Sequence, residues 1–155
     1  MILISILLAS SFAQAASHAG VDEFNVPEVV SRCMADLNDS TLTLSARMNP
    51  FYLRGDFDGD GRADYAALVT QVQTGKAGIL VCFGRKQKPA RIGAGATFVL
   101  SQGHKTDDLS VFDAWNIEEP DSHFKRDRIH LVAKEKGSGL ISWNGHALVW
   151  KQVAE

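Results

Sequence analysis

The chain has 155 residues, 16 of them Lys or Arg and 18 Asp or Glu, for a formal charge of −2 at pH 7. That length builds one domain with a real core and is short for two, and the even charge balance gives no concentrated basic face of the kind nucleic-acid binding needs. With 45% apolar and 22% charged residues the composition is that of a folded globular protein rather than a disordered one.

The first segment, MILISILLASSFAQAA, carries no charged side chain, and Ala13-Gln14-Ala15 offers the small-x-small pattern a signal peptidase reads. Its apolar block is shorter than the roughly 20 residues a bilayer span takes. Residues 1–15 therefore read as a secretory signal cut after Ala15, a buried N-terminal helix being the competing reading. The expectation is a single calcium-loop-containing α+β domain over 16–155, periplasmic or secreted, with no transmembrane segment after cleavage. Export would place Cys33 and Cys82 where a disulfide persists. They are the only two cysteines and allow one pairing, two buried thiols being the alternative. A bridge would close a loop of about 50 residues, worth roughly 3–4 kcal/mol in the chain-entropy model.

Asn25 can cap a helix, with Glu28 reaching back three residues later and Pro27 tolerated in the first turn. Val26, Val29, Val30, Cys33, Met34 and Leu37 then form one apolar stripe at helical spacing, and Asn38-Asp39-Ser40 ends it. Strand patterns follow at 41–44, 65–72, 79–83, 97–100, 109–112, 128–133, 140–143 and 146–150. The last two flank Asn144-Gly145, the strongest short hairpin signal. Residues 113–127 read as a long charged loop holding Trp115 and Phe124, and Gly137-Ser138-Gly139 as a flexible turn. The expected fold class is thus α+β: one N-terminal helix packed on a curled, mainly antiparallel sheet.

The chemically specific stretch is YLRGDFDGDGRADYAALV, residues 52–69. Asp56, Asp58 and Asp60 are spaced by two, Gly61 follows at the sixth position, where the chain must turn sharply, and Asp64 closes the set as D-x-D-x-D-G-x-x-D. A hard divalent cation wants several oxygens converging at about 2.4 Å, which alternate residues of a tight loop deliver. An EF-hand would need a bidentate Glu at the twelfth position, but that position is Ala67 inside an apolar run, and strands rather than helices flank the loop. The embedded Arg54-Gly55-Asp56 tripeptide would serve adhesion only if its aspartate were free for a receptor.

This layout resembles the calcium loops of integrin-type FG-GAP repeats. In those loops positions one, three, five, seven and nine hold the metal and a strand follows. The resemblance therefore implies Asp56, Asp58, Asp60, the Arg62 carbonyl and Asp64 as ligands, with Ca²⁺ as the cofactor. It covers about 15 residues. A looser likeness joins the chain to small exported bacterial proteins with one such stretch and a late Trp-x-Gly hairpin, here Trp143-Asn144-Gly145. A single copy argues against a propeller.

No catalytic constellation stands out. The chain has no G-x-S-x-G, H-E-x-x-H or C-x-x-C, and His18, His104, His123, His130 and His146 are scattered. The basic groups Arg85, Lys86, Lys88 and Arg91, then Lys125, Arg126 and Arg128, read as solvated loop faces or as a surface for an acidic partner. Trp115, Trp143 and Trp150 serve either an interface or the core. The function expected is an exported calcium-binding module with a structural Ca²⁺ and a protein or envelope-polymer partner, inhibitor or immunity-like roles included. The alternatives are an uncharacterised secreted hydrolase using the loop structurally, or a structural envelope component.

Overall fold

A computed structural model describes residue 21 and residues 25–134 and 136–154. The expected signal segment, 1–15, and its cleavage point lie outside the described residues. Helix α1 spans Glu28–Leu37. Its first turn closes on the Pro27 carbonyl, which accepts from the N–H groups of Val30 at 2.8 Å and Ser31 at 3.1 Å. The helix therefore starts after Pro27, not at an Asn25 cap. Proline suits this place because its φ of −56° is helical in advance. The helix ends at Asn38, which takes the left-handed conformation that asparagine tolerates (φ 48°).

Two antiparallel sheets follow. The first holds β1 (Leu42–Leu44), β2 (Tyr52–Gly55), β3 (Asp64–Gln71), β4 (Ala77–Cys82) and β5 (Ala90–Gly93). Its order is β1-β3-β4-β5, and β2 also pairs with β3. β1 and β2 share one edge of β3 end to end: β1 lies opposite 69–71 and β2 opposite 64–67. A two-strand ribbon joins β6 (Phe98–Val99) to β7 (Lys105–Thr106). The second sheet holds β8 (Ala114–Glu118), β9 (Arg128–Ala133), β10 (Gly137–Trp143) and β11 (Leu148–Ala154), in the order β11-β10-β9-β8.

The expected α+β class is corrected by this arrangement. Strand makes up 42% of the described residues and helix 11%, so the protein is mostly β, with one short helix at 28–37 and several sheets rather than one. The difference comes from strands that lack a clean signal. β8 lies inside the segment read as a charged loop: Trp115 is buried while Asn116 and Glu118 face out, a period of two hidden by charged flanks. The Gly137-Ser138-Gly139 turn is the start of β10, and a Cβ at Gly139 would lie 2.2 Å from the Trp150 ring. Conversely, 109–112 is a turn, not a strand. The Asn144-Gly145 hairpin loop runs over 144–147, with the Asn144 carboxamide oxygen accepting from the N–H groups of His146 and Ala147, both at 2.9 Å.

Sequence pattern explains the layering. β4 reads AGILVC and is buried at all six positions because both faces are covered. Ala66, Leu68, Ile79 and Val81 share a core with Trp115, Ile129, Leu131 and Ile141 of the second sheet. Val69, Leu80 and Cys82 face the other way, packing with Cys33 and, at its margin, Val29, Met34 and Leu37 of α1. Cys33 and Cys82 form a disulfide with Cα atoms 5.8 Å apart, which settles the pairing over two buried thiols and fastens α1 to the end of β4. Such a bridge is at home in a non-reducing, extracellular-type environment. Among the described residues no helix is long and apolar enough to cross a membrane.

Candidate metal centre

The β2–β3 turn, residues 56–63, is built by its own aspartates. Gly55 and Asp64 are the last paired residues, so the chain must fold back on itself within eight positions. Asp56 Oδ1 accepts from the N–H groups of Gly59 at 2.8 Å and Asp60 at 3.0 Å, and Oδ2 accepts from Gly61 at 2.9 Å. Asp58 Oδ1 accepts from Asp60 at 3.1 Å, and Asp60 Oδ1 from Arg62 at 2.8 Å. These short side-chain-to-backbone bonds hold the turn without any ladder. Gly59 and Gly61 sit at φ 78° and 79°, the left-handed region that glycine enters without penalty. Phe57, 2% exposed, anchors the turn in the inter-sheet core.

Asp64 is fully buried at the start of β3. Its Oδ2 accepts from the N–H groups of Phe57 at 2.9 Å and Asp58 at 3.2 Å, and its Oδ1 from Gly84 at 2.8 Å. Burial raises its pKa, against the lowering by these three backbone donors, with the neighbouring Asp58 charge adding to the rise. Asp64 thus ties the acidic turn to the chain leaving β4. The approach there is close: a Cβ at Gly84 would lie 2.5 Å from the Ala63 carbonyl oxygen.

Carboxylate oxygens of Asp56, Asp58 and Asp64 come within 4.8 Å of one another, and among the described residues this is the one group of three or more potential ligating residues so placed. Two carboxylate oxygens carry about four lone-pair sites. The turn uses three on Asp56 and three on Asp64, so each keeps acceptor capacity. The Asp58 side chain is wholly buried, and its Oδ2 has no hydrogen-bond donor. Arg85 Nε stands 2.9 Å from that oxygen, but off the line of a hydrogen bond, so the contact is Coulombic only. A donor set made of oxygens alone suits a hard divalent cation. Of the expected ligands, Asp60 stands beside the group, its Oδ2 3.9 Å from Arg85 Nε. Arg62 lies on the exposed crest. Asp56, with both oxygens turned onto its own loop, is not presented as an adhesion aspartate.

Three partners of the turn come from far along the chain and carry no local signal. Arg85 and Gly84 follow β4. Asp127, just before β9, accepts from the Asp56 N–H at 2.7 Å through Oδ2. Beside it Arg126 packs so closely on Gly59 that a Cβ there would lie 2.9 Å from Arg126 Cγ, and its Nη1 donates to the Trp143 carbonyl at 2.8 Å. Several basic residues read as solvated are therefore anchored. Arg91 pairs with Asp39 at 2.8 Å, and Arg128, buried, pairs with Asp121 at 2.8 Å beneath the Phe124 ring. Trp115 is a core residue whose Nε1 donates to the Pro50 carbonyl at 2.7 Å. The Ser110 hydroxyl is committed to Asp108 at 2.9 Å. Compared with family models, curated proteins and solved structures, the chain matches none of them.

Proposed function

We propose that this is an exported calcium-binding protein in which one Ca²⁺, held by the FG-GAP-like 56–64 loop, is structural, and that the protein acts by binding a protein or envelope polymer. The observation that carries the cation reading is the buried Asp58 Oδ2, which has no hydrogen-bond donor and lies among the converging oxygens of Asp56 and Asp64. Of the four aspartates within nine residues, only Asp58 and Asp60 lie within ion-pair reach of Arg85, and a divalent ion would balance the rest. Asp60 and the Arg62 carbonyl would complete a shell of oxygens, with water, of the size calcium takes. Such a shell leaves no open position for activating a substrate, so the ion's role is to stiffen the turn that starts β3. The disulfide favours a periplasmic or secreted location.

Calorimetric titration with Ca²⁺ and with Mg²⁺ tests the ion. Calcium at a hundredfold over its Kd is expected to stabilise the fold by about 2.7 kcal/mol, raising Tm by roughly 5–10 °C. Asp58→Asn is expected to abolish that rise while keeping the side-chain shape. Identical melting of the unaltered protein in calcium and in chelator would remove the cation from the reading. Capture from an envelope extract with the calcium-loaded protein as bait, against the Asp58→Asn variant, tests the binding role.

A further inference from the structure

A cavity of about 500 Å³ opens between α1 and the segment that leaves β4, residues 83–89. Its lining includes Arg32 and Asp36 from the helix and Arg85, Lys86 and Gln87 from the segment, with Cys33 between them. The Cys33–Cys82 bridge fixes α1 to the end of β4, immediately before the 83–89 wall, which limits the ordering needed to fill the cleft. Three cationic side chains against one carboxylate make the lining basic. Arg32 is only weakly engaged, 3.9 Å from Glu28 with both side chains exposed.

Arg85 belongs to both the cleft and the acidic turn. It lines the cavity while its Nε lies 2.9 Å from Asp58 Oδ2 and 3.9 Å from Asp60 Oδ2. While it neutralises those aspartates its charge is unavailable to a ligand. A cation on the turn takes over that neutralisation and leaves the guanidinium on the cleft side. A guanidinium is a planar fork that matches carboxylate and phosphate oxygens in pairs.

We infer that the cleft between α1 and residues 83–89 is a subsite for an oxyanion group, carboxylate or tetrahedral phosphate or sulfate, and that Arg85 couples its occupancy to a cation on the 56–64 turn. This deepens the proposed cation site and rests on it for the coupling, though not for the cleft itself. Because coupling between two sites is reciprocal, the anion also tightens the cation. An acidic group on a protein or polymer partner would then be gripped only by the calcium-loaded form.

The test is calorimetric titration of the full, disulfide-bonded chain with succinate and separately with sulfate, in calcium and in chelator. At least one anion is expected to bind about tenfold more tightly in calcium, within the range of ordinary coupling energies. Preference for succinate assigns a carboxylate source and preference for sulfate a tetrahedral one. Arg85→Gln is expected to bind calcium at least as tightly as the unaltered protein and to lose the dependence of anion affinity on calcium. Asp58→Asn frees Arg85 without any metal, so its anion affinity in chelator is expected to rise toward the calcium-loaded value. That variant separates the two ideas: if the unaltered protein takes no calcium but Asp58→Asn gains anion affinity, the cation reading fails and the cleft stands. Anion affinities that are equal in calcium and chelator and unchanged by Asp58→Asn, or no binding of either anion by any form, overturn the inference.

Discussion

Two turns of this protein are organised by aspartates, and they end in different electrostatic states. In the 121–124 turn, Asp121 accepts from the N–H groups of His123 at 2.7 Å and Phe124 at 2.9 Å, and Arg128 pairs with its other oxygen. One acid meets one arginine, and the backbone bonds with that pair bring its pKa down to about 2. In the 56–64 turn the same side-chain-to-backbone device is repeated, but Arg85 pairs with only two of the four acids, Asp58 and Asp60, and the buried Oδ2 of Asp58 is left without a hydrogen-bond donor. The first turn is complete as it stands. The second gathers acids that are not paired one for one, and that surplus, rather than the presence of aspartates, is what could hold a metal ion.

The difference can be broken most severely at Asp64. Asp64→Ala leaves two buried N–H groups and the half-buried N–H of Gly84 unpaired and opens a void, so destabilisation of about 3 kcal/mol or more is expected by denaturant titration. Calcium would not rescue it, whereas Asp58→Asn would lose chiefly the calcium-dependent part. The glycines sharpen the contrast within the turn. Gly59→Ala combines a left-handed backbone with a collision against Arg126 and should cost about 2 kcal/mol. Gly61→Ala, at the same φ with open space around it, should cost about 1 kcal/mol from backbone strain alone. Equal losses would mean that Arg126 yields freely.

The smallest effect is at Asp121. Its carboxylate has a folded pKa of about 2, below the ordinary 3.8, through the His123 and Phe124 N–H bonds and then Arg128. A carboxyl depressed on folding contributes stability above its unfolded pKa and loses it as pH falls toward its folded one. Melting followed from pH 5 to pH 2 should therefore fall less steeply between about 4 and 2 for Asp121→Asn than for the unaltered protein. Superimposable acid limbs would show that the Asp121 carboxylate is not stabilised on folding by the His123 and Phe124 N–H groups and Arg128.

Much of this was legible in residue order, where the signal is local. The acidic turn followed from Asp spacing and Gly61, and β4 from an unbroken apolar run. The stripe of α1 was visible too, but its start was misplaced because the Pro27 carbonyl, not the Asn25 side chain, closes the first turn. β8 went unread because its inward positions, Trp115 and Ile117, are only two among charged neighbours. Hence the single sheet expected became a five-stranded and a four-stranded sheet with a two-stranded ribbon, and the class moved from α+β to mostly β. The basic partner of the turn was not legible at all. Arg85 and Asp127 reach Asp58 and Asp56 only after β4 and β9 are in place, and nothing near them in the chain announces those contacts.

The missing side chain at Gly139 has reach beyond its own strand. It leaves room for the Trp150 indole to pack directly against the Gly139 backbone, near the Phe112 ring at 5.5 Å, with Nε1 donating to the Ser101 hydroxyl at 3.1 Å. The last strand is thereby latched to the turn that joins β6 to β7. Clipping the chain before residue 148 would strip the cover from that small ribbon as well as one edge of the second sheet, so a tag or fusion at this end of the molecule should be spaced well clear of Trp150.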